Sequence, residues 1–220
     1  RRHVEHYRDS DMARLYWEAG GGDSLGYPSK IGRFRTGDDV SQDFERVQQR
    51  LGSEGQRILR DKGVEPFQVA LEHARQIGIE FHAAYRVAGF HYPPQHDHFN
   101  EGPTFYKSHP ELRGVDRQGD PTPRISYAYP EARAFVVSLL KEIAEFPIDG
   151  VCLLYNRRPP LVEYEPSLVE GFRCEYGKDP RQIDEHDPRW LLYRARTLTQ
   201  FMREVREAMD EAGRQQQHAA

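Results

Sequence analysis

Two segments with helical spacing of apolar residues each lead directly into a short apolar segment, and this order constrains the fold more than any other feature. The first helical segment begins at Pro66 and ends at Gly78, immediately before residues 79–86. The second begins at Pro130 and leads into residues 148–155. Proline favours the first turn of a helix and glycine its end, and a short apolar run beside such signals is typical of a buried strand. The sequence therefore predicts two units in which a helix is followed by a strand.

The connections on the two sides of each predicted strand differ in length. An earlier strand is predicted over residues 12–18 and a third helix over residues 189–212. The segments that lead into the strands are short, whereas those that follow them are long: residues 19–64, 87–129 and 156–188. Long loops at the carboxyl ends of parallel strands are typical of a (β/α)8 barrel, whose active site lies on that side. An open, doubly wound sheet would show the same local order, but no glycine-rich nucleotide-binding motif follows any predicted strand.

The predicted fold class is α/β, as part of a (β/α)8 TIM-type barrel with long βα loops. Three strands are recognised in the sequence, whereas a closed barrel contains eight. Either the chain is part of a larger barrel, or further strands lie unrecognised inside the long connections. We favour the first alternative, and we expect residues 1–220 to form a single domain that is a fragment of a larger barrel domain.

Charge and hydropathy exclude several classes of protein. The 31 basic and 35 acidic residues give a net charge of −4, whereas a nucleic-acid-binding domain usually carries a clear basic excess. No apolar run approaches the roughly 20 residues that span a bilayer. We therefore expect neither a nucleic-acid partner nor a membrane span. Compartment and oligomeric state stay open, although secretion of the full-length protein would place it outside the cytoplasm.

The strand predicted over residues 79–86 carries polar side chains that could contact a ligand. Because side chains alternate along a strand, His82, Ala84 and Arg86 lie on one face. A histidine and an arginine beside a small alanine, near the carboxyl end of a strand, leave room for a ligand. The alternative is structural: His82 would be a hydrogen-bonded core residue, and Arg86 would pair with a carboxylate of a loop.

Several motifs in this chain occur in the same order as in one bacterial family. Residues 149–159 read DGVCLLYNRRP and resemble the D-G-[IV]-x-L-D-[YF]-x-R-x-P stretch of the glycosyl-hydrolase-like, family 10-like barrels. Residues 109–111, 115–119 and 128–133 are similar to the link between a strand and the next helix in that family. The resemblance covers residues 65–160 well, 161–212 loosely and 1–64 weakly. It implies a (β/α)8 barrel that hydrolyses glycosidic bonds in a carbohydrate.

One departure from the family pattern bears on catalysis. The pattern has Asp where this chain has Leu154, so an expected carboxylate is missing from the end of that strand. Glycoside hydrolysis generally needs two carboxyl groups, one as acid and one as nucleophile or base. Glu163 and Glu165 follow in the next loop, and Glu18 lies at the end of the first predicted strand. We take Glu18 and Glu163 as the candidate catalytic residues, in an order that the sequence does not assign, although a glutamate in a loop is often only solvated.

Further residues are candidates for holding a sugar. Aromatic rings stack on the apolar face of a sugar, and polar side chains hold its hydroxyl groups or orient the carboxylates. The candidate substrate-binding residues are Trp17, His82, Tyr85, Arg86, Tyr155, Asn156, Arg157 and Tyr164. For the four aromatic residues the alternative is ordinary packing within the barrel.

The expected ligand is a carbohydrate, with no cofactor and no metal ion. A tract at residues 91–98 contains three histidines, but it lacks the rigid helical spacing of zinc ligands and is interpreted as a surface loop. The leading functional hypothesis is carboxylate-based hydrolysis of a glycosidic bond. The competing hypothesis, which Leu154 favours, is a noncatalytic carbohydrate-binding or scaffold barrel.

Overall fold

The computed structural model describes residues 2–37, 47–90, 104–156 and 160–219. The helices are α1 (Arg2–Glu5), α2 (Val47–Asp61), α3 (Pro66–Gln76), α4 (Phe105–Ser108), α5 (Pro130–Ile143), α6 (Pro166–Tyr176) and α7 (Pro188–Ala219). The strands are β1 (Arg14–Gly21), β2 (Ser24–Leu25), β3 (Arg33–Phe34), β4 (Glu80–Arg86), β5 (Arg113–Val115), β6 (Pro121–Ile125) and β7 (Gly150–Leu154).

The chain divides into two compact units. The first unit comprises Arg1–Phe105 and Glu142–Arg157, and the second comprises Tyr106–Lys141 and Arg158–Ala220. The first contains a five-stranded sheet in the order β3-β2-β1-β4-β7, and the second contains the two-stranded sheet β5-β6. Each unit is described by itself below.

The centre of the five-stranded sheet is parallel. β4 pairs in parallel with β1 on one side and with β7 on the other. This confirms the prediction that the segments 79–86 and 148–155 contain strands of a parallel sheet. Because each of β4 and β7 follows an amphipathic helix, the predicted α/β class is confirmed, and the arrangement is that of successive βα units in part of a (β/α)8 barrel.

The two faces of this sheet have different surroundings. On one face, Phe81, Ala83 and Tyr85 are fully buried, and the ring of Phe67 in α3 meets the ring of Phe81 edge-on with centroids 5.3 Å apart. We name this the covered face. The opposite face, here named the open face, carries Arg14, Tyr16, Glu18, Glu80, His82, Ala84, Arg86, Cys152 and Leu154. Its exposed residues include Tyr16, which is 53% exposed.

A β-bulge interrupts the pairing of β1 with β4 near their carboxyl ends. Glu18 is opposite Ala84, whereas Gly20 is already opposite Tyr85, so β1 contains one extra residue. Bulges bend a strand and change the direction of neighbouring side chains. A side chain at Gly21 would place its Cβ 2.7 Å from the Cβ of Arg86. Glycine at this position therefore allows the two strands to approach at the end where Glu18 lies.

The Asp149-Gly150 pair of the family-like motif has a structural explanation. The carboxylate of Asp149 accepts a 2.7 Å hydrogen bond from the backbone N–H of Phe81, and the N–H of Asp149 donates to the carbonyl of Phe81 at 2.9 Å. Asp149 therefore sets the register between β4 and β7. A Cβ at position 150 would lie 2.7 Å from two atoms of the His82 imidazole, so glycine leaves the space that this ring occupies.

The second unit contains the β5–β6 hairpin, helices α6 and α7, and most of α4 and α5. β5 and β6 are antiparallel, and residues of α6 and α7 contribute to a hydrophobic cluster of Tyr164, Val169, Phe172 and Trp190. A Cβ at Gly171 would lie 2.1 Å from the hydroxyl oxygen of Tyr193. Glycine at this position in α6 therefore makes room for the tyrosine of α7.

The predicted long connections contain secondary structure that the sequence patterns do not reveal. α2, β2 and β3 lie within residues 19–64, α4 and the β5–β6 hairpin lie within residues 87–129, and α6 lies within residues 156–188. β2, β3 and β5 have two or three residues, which is too short to establish an alternating pattern. β6 has five residues, but two of them are prolines, which argue against a strand. No helix in the described portion combines the length and apolar character needed to cross a membrane.

Candidate functional site

Glu18, just before the bulge in β1, and Arg86, at the carboxyl end of β4, form an ion pair on the open face. The carboxylate oxygen Oε2 of Glu18 accepts hydrogen bonds from Nε of Arg86 at 2.8 Å and from Nη2 at 2.7 Å. Nη2 of Arg35 lies 4.0 Å from the other carboxylate oxygen. The side chains of Glu18 and Arg86 are 38% and 35% exposed, so the pair remains accessible to a ligand. The hydrogen bond with Glu18 raises the pKa of the Arg86 guanidinium.

His82 lies on the same face but closer to the amino end of β4. Its Nε2 is 3.3 Å from Oε2 of Glu80, and its ring centroid is 5.4 Å from that of Tyr16. His82 and Arg86 are four positions apart, which is about 13 Å along a strand. His82 and Arg86 share a face, as the alternation of side chains predicts, and Glu18 lies on the same face. We further predict that these three residues and Asn156 open onto one cavity.

The aromatic candidates in the first unit have different environments. Trp17 lies on the covered face, where its ring stacks near Phe81 with centroids 6.4 Å apart. Tyr85 is fully buried, and its hydroxyl group donates a 2.6 Å hydrogen bond to the carbonyl of Gly22. Burial therefore excludes Tyr85 as a sugar contact, whereas Trp17 is only partly buried and its role as a sugar contact stays a prediction. Tyr155 is 37% exposed, and partial burial raises its pKa to about 12.

Tyr16 is an open-face aromatic residue that the sequence interpretation did not select. It is opposite His82 in the pairing of β1 with β4, and its hydroxyl oxygen lies 3.4 Å from Nη1 of Arg14. Strand alternation could have identified it, because Tyr16 and Glu18 are two residues apart and must share a face. Choosing between Tyr16 and Trp17 required knowledge of which face the helices cover.

The segment after β7 is described only in part. Leu154 is opposite Arg86 on the open face, so an apolar side chain stands where the family pattern has a carboxylate. Asn156 is exposed and follows two residues later. Arg157 lies outside the described residues, as does the histidine-containing tract at residues 91–98. Among the described residues, no group of His, Cys, Asp and Glu is arranged to hold a metal ion.

The second unit contains two glutamates that differ in exposure. Glu165 is fully buried, and its two carboxylate oxygens lie 2.9 and 3.2 Å from the backbone nitrogen of Glu163. The side chain of Glu163 is 14% exposed, with one oxygen 3.4 Å from Nη1 of Arg124. Burial is the main cause that raises the pKa of both carboxyl groups. Tyr164, between them, is 9% exposed and packs against Trp190, so packing explains this aromatic candidate as well.

Comparison with known proteins identifies the family. Among solved structures, the chain is similar to alpha-L-fucosidase isoenzyme 2 from Paenibacillus thiaminolyticus, with a TM-score of 0.48 and 13% sequence identity over 91% of this chain. The chain spans 31% of that fucosidase chain. A search of curated proteins finds no match. The family model described as glycosyl hydrolase-like 10 matches residues 44–213. This match covers most of the sequence, and the chain therefore belongs to the glycosyl hydrolase-like 10 family.

Proposed function

We propose that this domain binds a carbohydrate on the open face of the sheet and hydrolyses a glycosidic bond, with Glu18 as one of the carboxyl groups that act in the reaction. The observation that carries the proposal is the accessible ion pair of Glu18 with Arg86 near the carboxyl ends of β1 and β4. In barrels built from βα units, catalytic residues lie at this end of the strands. Membership of a glycosyl hydrolase-like family supports the same reaction class.

The surroundings of Glu18 suit a carboxylate that stabilises positive charge or acts as nucleophile or base. Arg86 fixes the position of one oxygen with two hydrogen bonds, while Oε1 has Arg35 at 4.0 Å. Asn156 and the free donor positions of the arginines can hold hydroxyl groups of a sugar, and the exposed ring of Tyr16 can stack on its apolar face. Arginine is suited to this positioning because its guanidinium group is planar and carries five N–H donors.

The surroundings of Glu163 in the second unit suit a proton donor. Burial, with the negative charges of Glu165 and Asp116, raises its pKa, while Arg124 and Arg194 oppose that rise. A carboxyl group that holds its proton at a higher pH is the type that protonates the leaving oxygen of a glycoside. We therefore propose Glu163 as a candidate acid within the second unit, separately from the role of Glu18 as a carboxylate in the first unit.

One observation favours a second candidate function, which is glycan binding without hydrolysis. Leu154 places an apolar side chain opposite Arg86, where the family pattern has an acidic residue. If the missing carboxylate was essential, the open face would retain its sugar contacts and lose the chemistry. Binding and hydrolysis must therefore be measured separately.

The test compares Glu18→Gln with Glu80→Gln. Both glutamates lie on the open face and form an ion pair with an arginine, but Glu80 is at the amino end and pairs with Arg14 at 2.6 Å. Release of reducing ends from a panel of oligosaccharides measures hydrolysis, and calorimetry with the same oligosaccharides measures binding. We expect Glu18→Gln to reduce the rate of hydrolysis at least about 100-fold. The rate of Glu80→Gln should be close to that of the unmodified protein.

Three outcomes separate the alternatives. Equal hydrolysis by the two variants would contradict a catalytic role for Glu18. Binding without hydrolysis in the unmodified protein, weakened by Glu18→Gln, would support the noncatalytic alternative. Absence of both binding and hydrolysis across the panel would contradict the carbohydrate assignment for the open face.

A further inference from the structure

Residues 160–165, here named the glutamate segment, are held against the β5–β6 hairpin by backbone hydrogen bonds. The N–H of Tyr127 donates to the carbonyl of Leu161 at 3.1 Å, and the N–H of Tyr164 donates to the carbonyl of Val115 at 2.8 Å. Nη1 of Arg124 in β6 also donates to the carbonyl of Pro160 at 3.0 Å. These contacts fix the two ends of the segment. The backbone N–H of Glu163, between them, needs a separate hydrogen-bond acceptor.

Glu165 supplies that partner. Its carboxylate accepts the backbone N–H of Glu163 with both oxygens, at 2.9 and 3.2 Å, and it also accepts the hydroxyl group of Ser126. Ser126 is itself buried, and its oxygen accepts the N–H of Ala128 at 3.1 Å. The buried carboxylate of Glu165 therefore connects the backbone of Glu163 to the end of β6.

The backbone carbonyl of Glu165 makes hydrogen bonds at the start of α6. Its carbonyl accepts the N–H groups of Leu168 and Val169 at 2.9 and 3.0 Å, which begins α6. The carboxyl group of Glu165 lies close to β5, because a Cβ added at Gly114 would be 3.6 Å from one of its oxygens. Glycine in β5 therefore lets the hairpin cover this carboxyl group closely. A group so enclosed does not reach a substrate, which separates Glu165 from Glu163.

We propose that Glu165 is a positioning residue: it fixes the backbone of Glu163 and so the direction of the Glu163 carboxyl group beside Arg124. This inference rests on the proposed role of Glu163 as the acid. The two glutamates resemble a catalytic pair in sequence, but only Glu163 is exposed enough to meet a ligand. Glu165 acts through Glu163, by geometry and by its charge.

The charged groups that influence the protonation of Glu163 come from several parts of the second unit. Apart from burial, they are Arg124 of β6, Glu165, Asp116 after β5 and Arg194 of α7. Because the negative charge of Glu165 contributes to the raised pKa of Glu163, removing that charge should move the titration of Glu163 to lower pH. A purely structural residue would not have this effect.

The experiment compares Glu165→Gln and Glu165→Ala, with Glu170→Gln as a control. Glu170 is on the exposed surface of α6, with a side chain that is 64% exposed. NMR gives the hydrogen-exchange rate of the Glu163 amide and the titration of its carboxyl carbon. We expect Glu165→Ala to accelerate exchange at the Glu163 amide about tenfold or more, because a hydrogen bond to a charged acceptor is lost. Glu165→Gln should retain the slow exchange, since its amide oxygen still accepts, and should shift the titration of Glu163 to lower pH.

Two results would overturn the inference: an unchanged exchange rate of the Glu163 amide in Glu165→Ala, or an unchanged titration of Glu163 in Glu165→Gln. If Glu165→Ala does not fold, the titration in Glu165→Gln decides alone. The proposed acid role of Glu163 is tested separately by hydrolysis with Glu163→Gln. Full activity of Glu163→Gln would contradict the acid role of Glu163. The NMR measurements would still decide whether Glu165 positions Glu163.

Discussion

Glu142 provides the most demanding test of how the first unit is stabilised. Its side chain is buried near the end of α5 and accepts three hydrogen bonds. The hydroxyl groups of Tyr27 and Ser29 donate at 3.0 and 2.5 Å, and the backbone N–H of Lys30 donates at 2.6 Å. Burial, followed by the nearby charge of Glu142, raises the pKa of Tyr27 far above its usual range. This carboxylate therefore secures the loop between β2 and β3 to α5.

Replacing Glu142 by alanine should destabilise the protein by about 3–5 kcal/mol. Hydrogen bonds to a charged acceptor contribute about 1.5–3 kcal/mol each, and a buried donor left without an acceptor costs about 1–3 kcal/mol. The three contributions are not additive, because Ser29 and Lys30 are near the surface and can bind water. The buried hydroxyl group of Tyr27, which is 1% exposed, has no such access and accounts for much of the loss.

The matched control is Glu145→Ala in the turn after the same helix. Glu145 is 67% exposed and pairs with the side chain of Lys30 at 3.7 Å, so its loss should change stability by less than about 0.5 kcal/mol. Urea unfolding followed by circular dichroism gives the free energy of unfolding, and hydrogen exchange of the Lys30 amide reports the loop locally. A cost for Glu142→Ala no larger than that of Glu145→Ala would refute the reasoning.

Two further predictions concern a close contact and an acidic helix cap. Gly150→Ala should cost about 1–3 kcal/mol of unfolding free energy, because its Cβ would lie 2.7 Å from the ring of His82. The double variant with His82→Ala should recover part of this cost in urea unfolding, and strictly additive costs would contradict the contact. The side-chain hydrogen bond from Arg189 is the largest cause that lowers the pKa of Asp187 from 3.8 to about 2, so this carboxylate stabilises the fold above about pH 4 and the stabilisation is lost as the pH falls towards 2. Asp187→Asn should therefore flatten the decrease of stability over this pH range, and identical acid-unfolding curves for the two proteins would contradict the assignment.

Local sequence signals determined the order and approximate bounds of the main elements. α3 and α5 begin at the prolines that predicted them, and β4 and β7 follow where short apolar runs were recognised. These signals are reliable because proline, glycine and apolar periodicity act within a few residues. The same signals explain what was missed: β2 and β3 have two residues each, too few to show an alternating pattern, although they pair with segments nearby in the chain.

The candidate site shows what only the tertiary structure could decide. Glu18 and Arg86 are 68 residues apart in sequence, and the parallel register of β1 with β4 brings them together. Alternation separated Tyr16 from Trp17, but only the packing of α3 showed which of the two faces is covered.

Glu163 and Glu165 in the second unit also show which properties the sequence determines and which the tertiary structure decides. Glu163 and Glu165 are chemically identical and two residues apart, so no local pattern assigns them different roles. In the folded unit Glu165 is fully buried, whereas Glu163 is partly exposed. The sequence determined which side chains could perform acid–base chemistry, whereas burial by residues distant in the chain decided which of them a ligand can reach, because solvent access is a property of the packed structure.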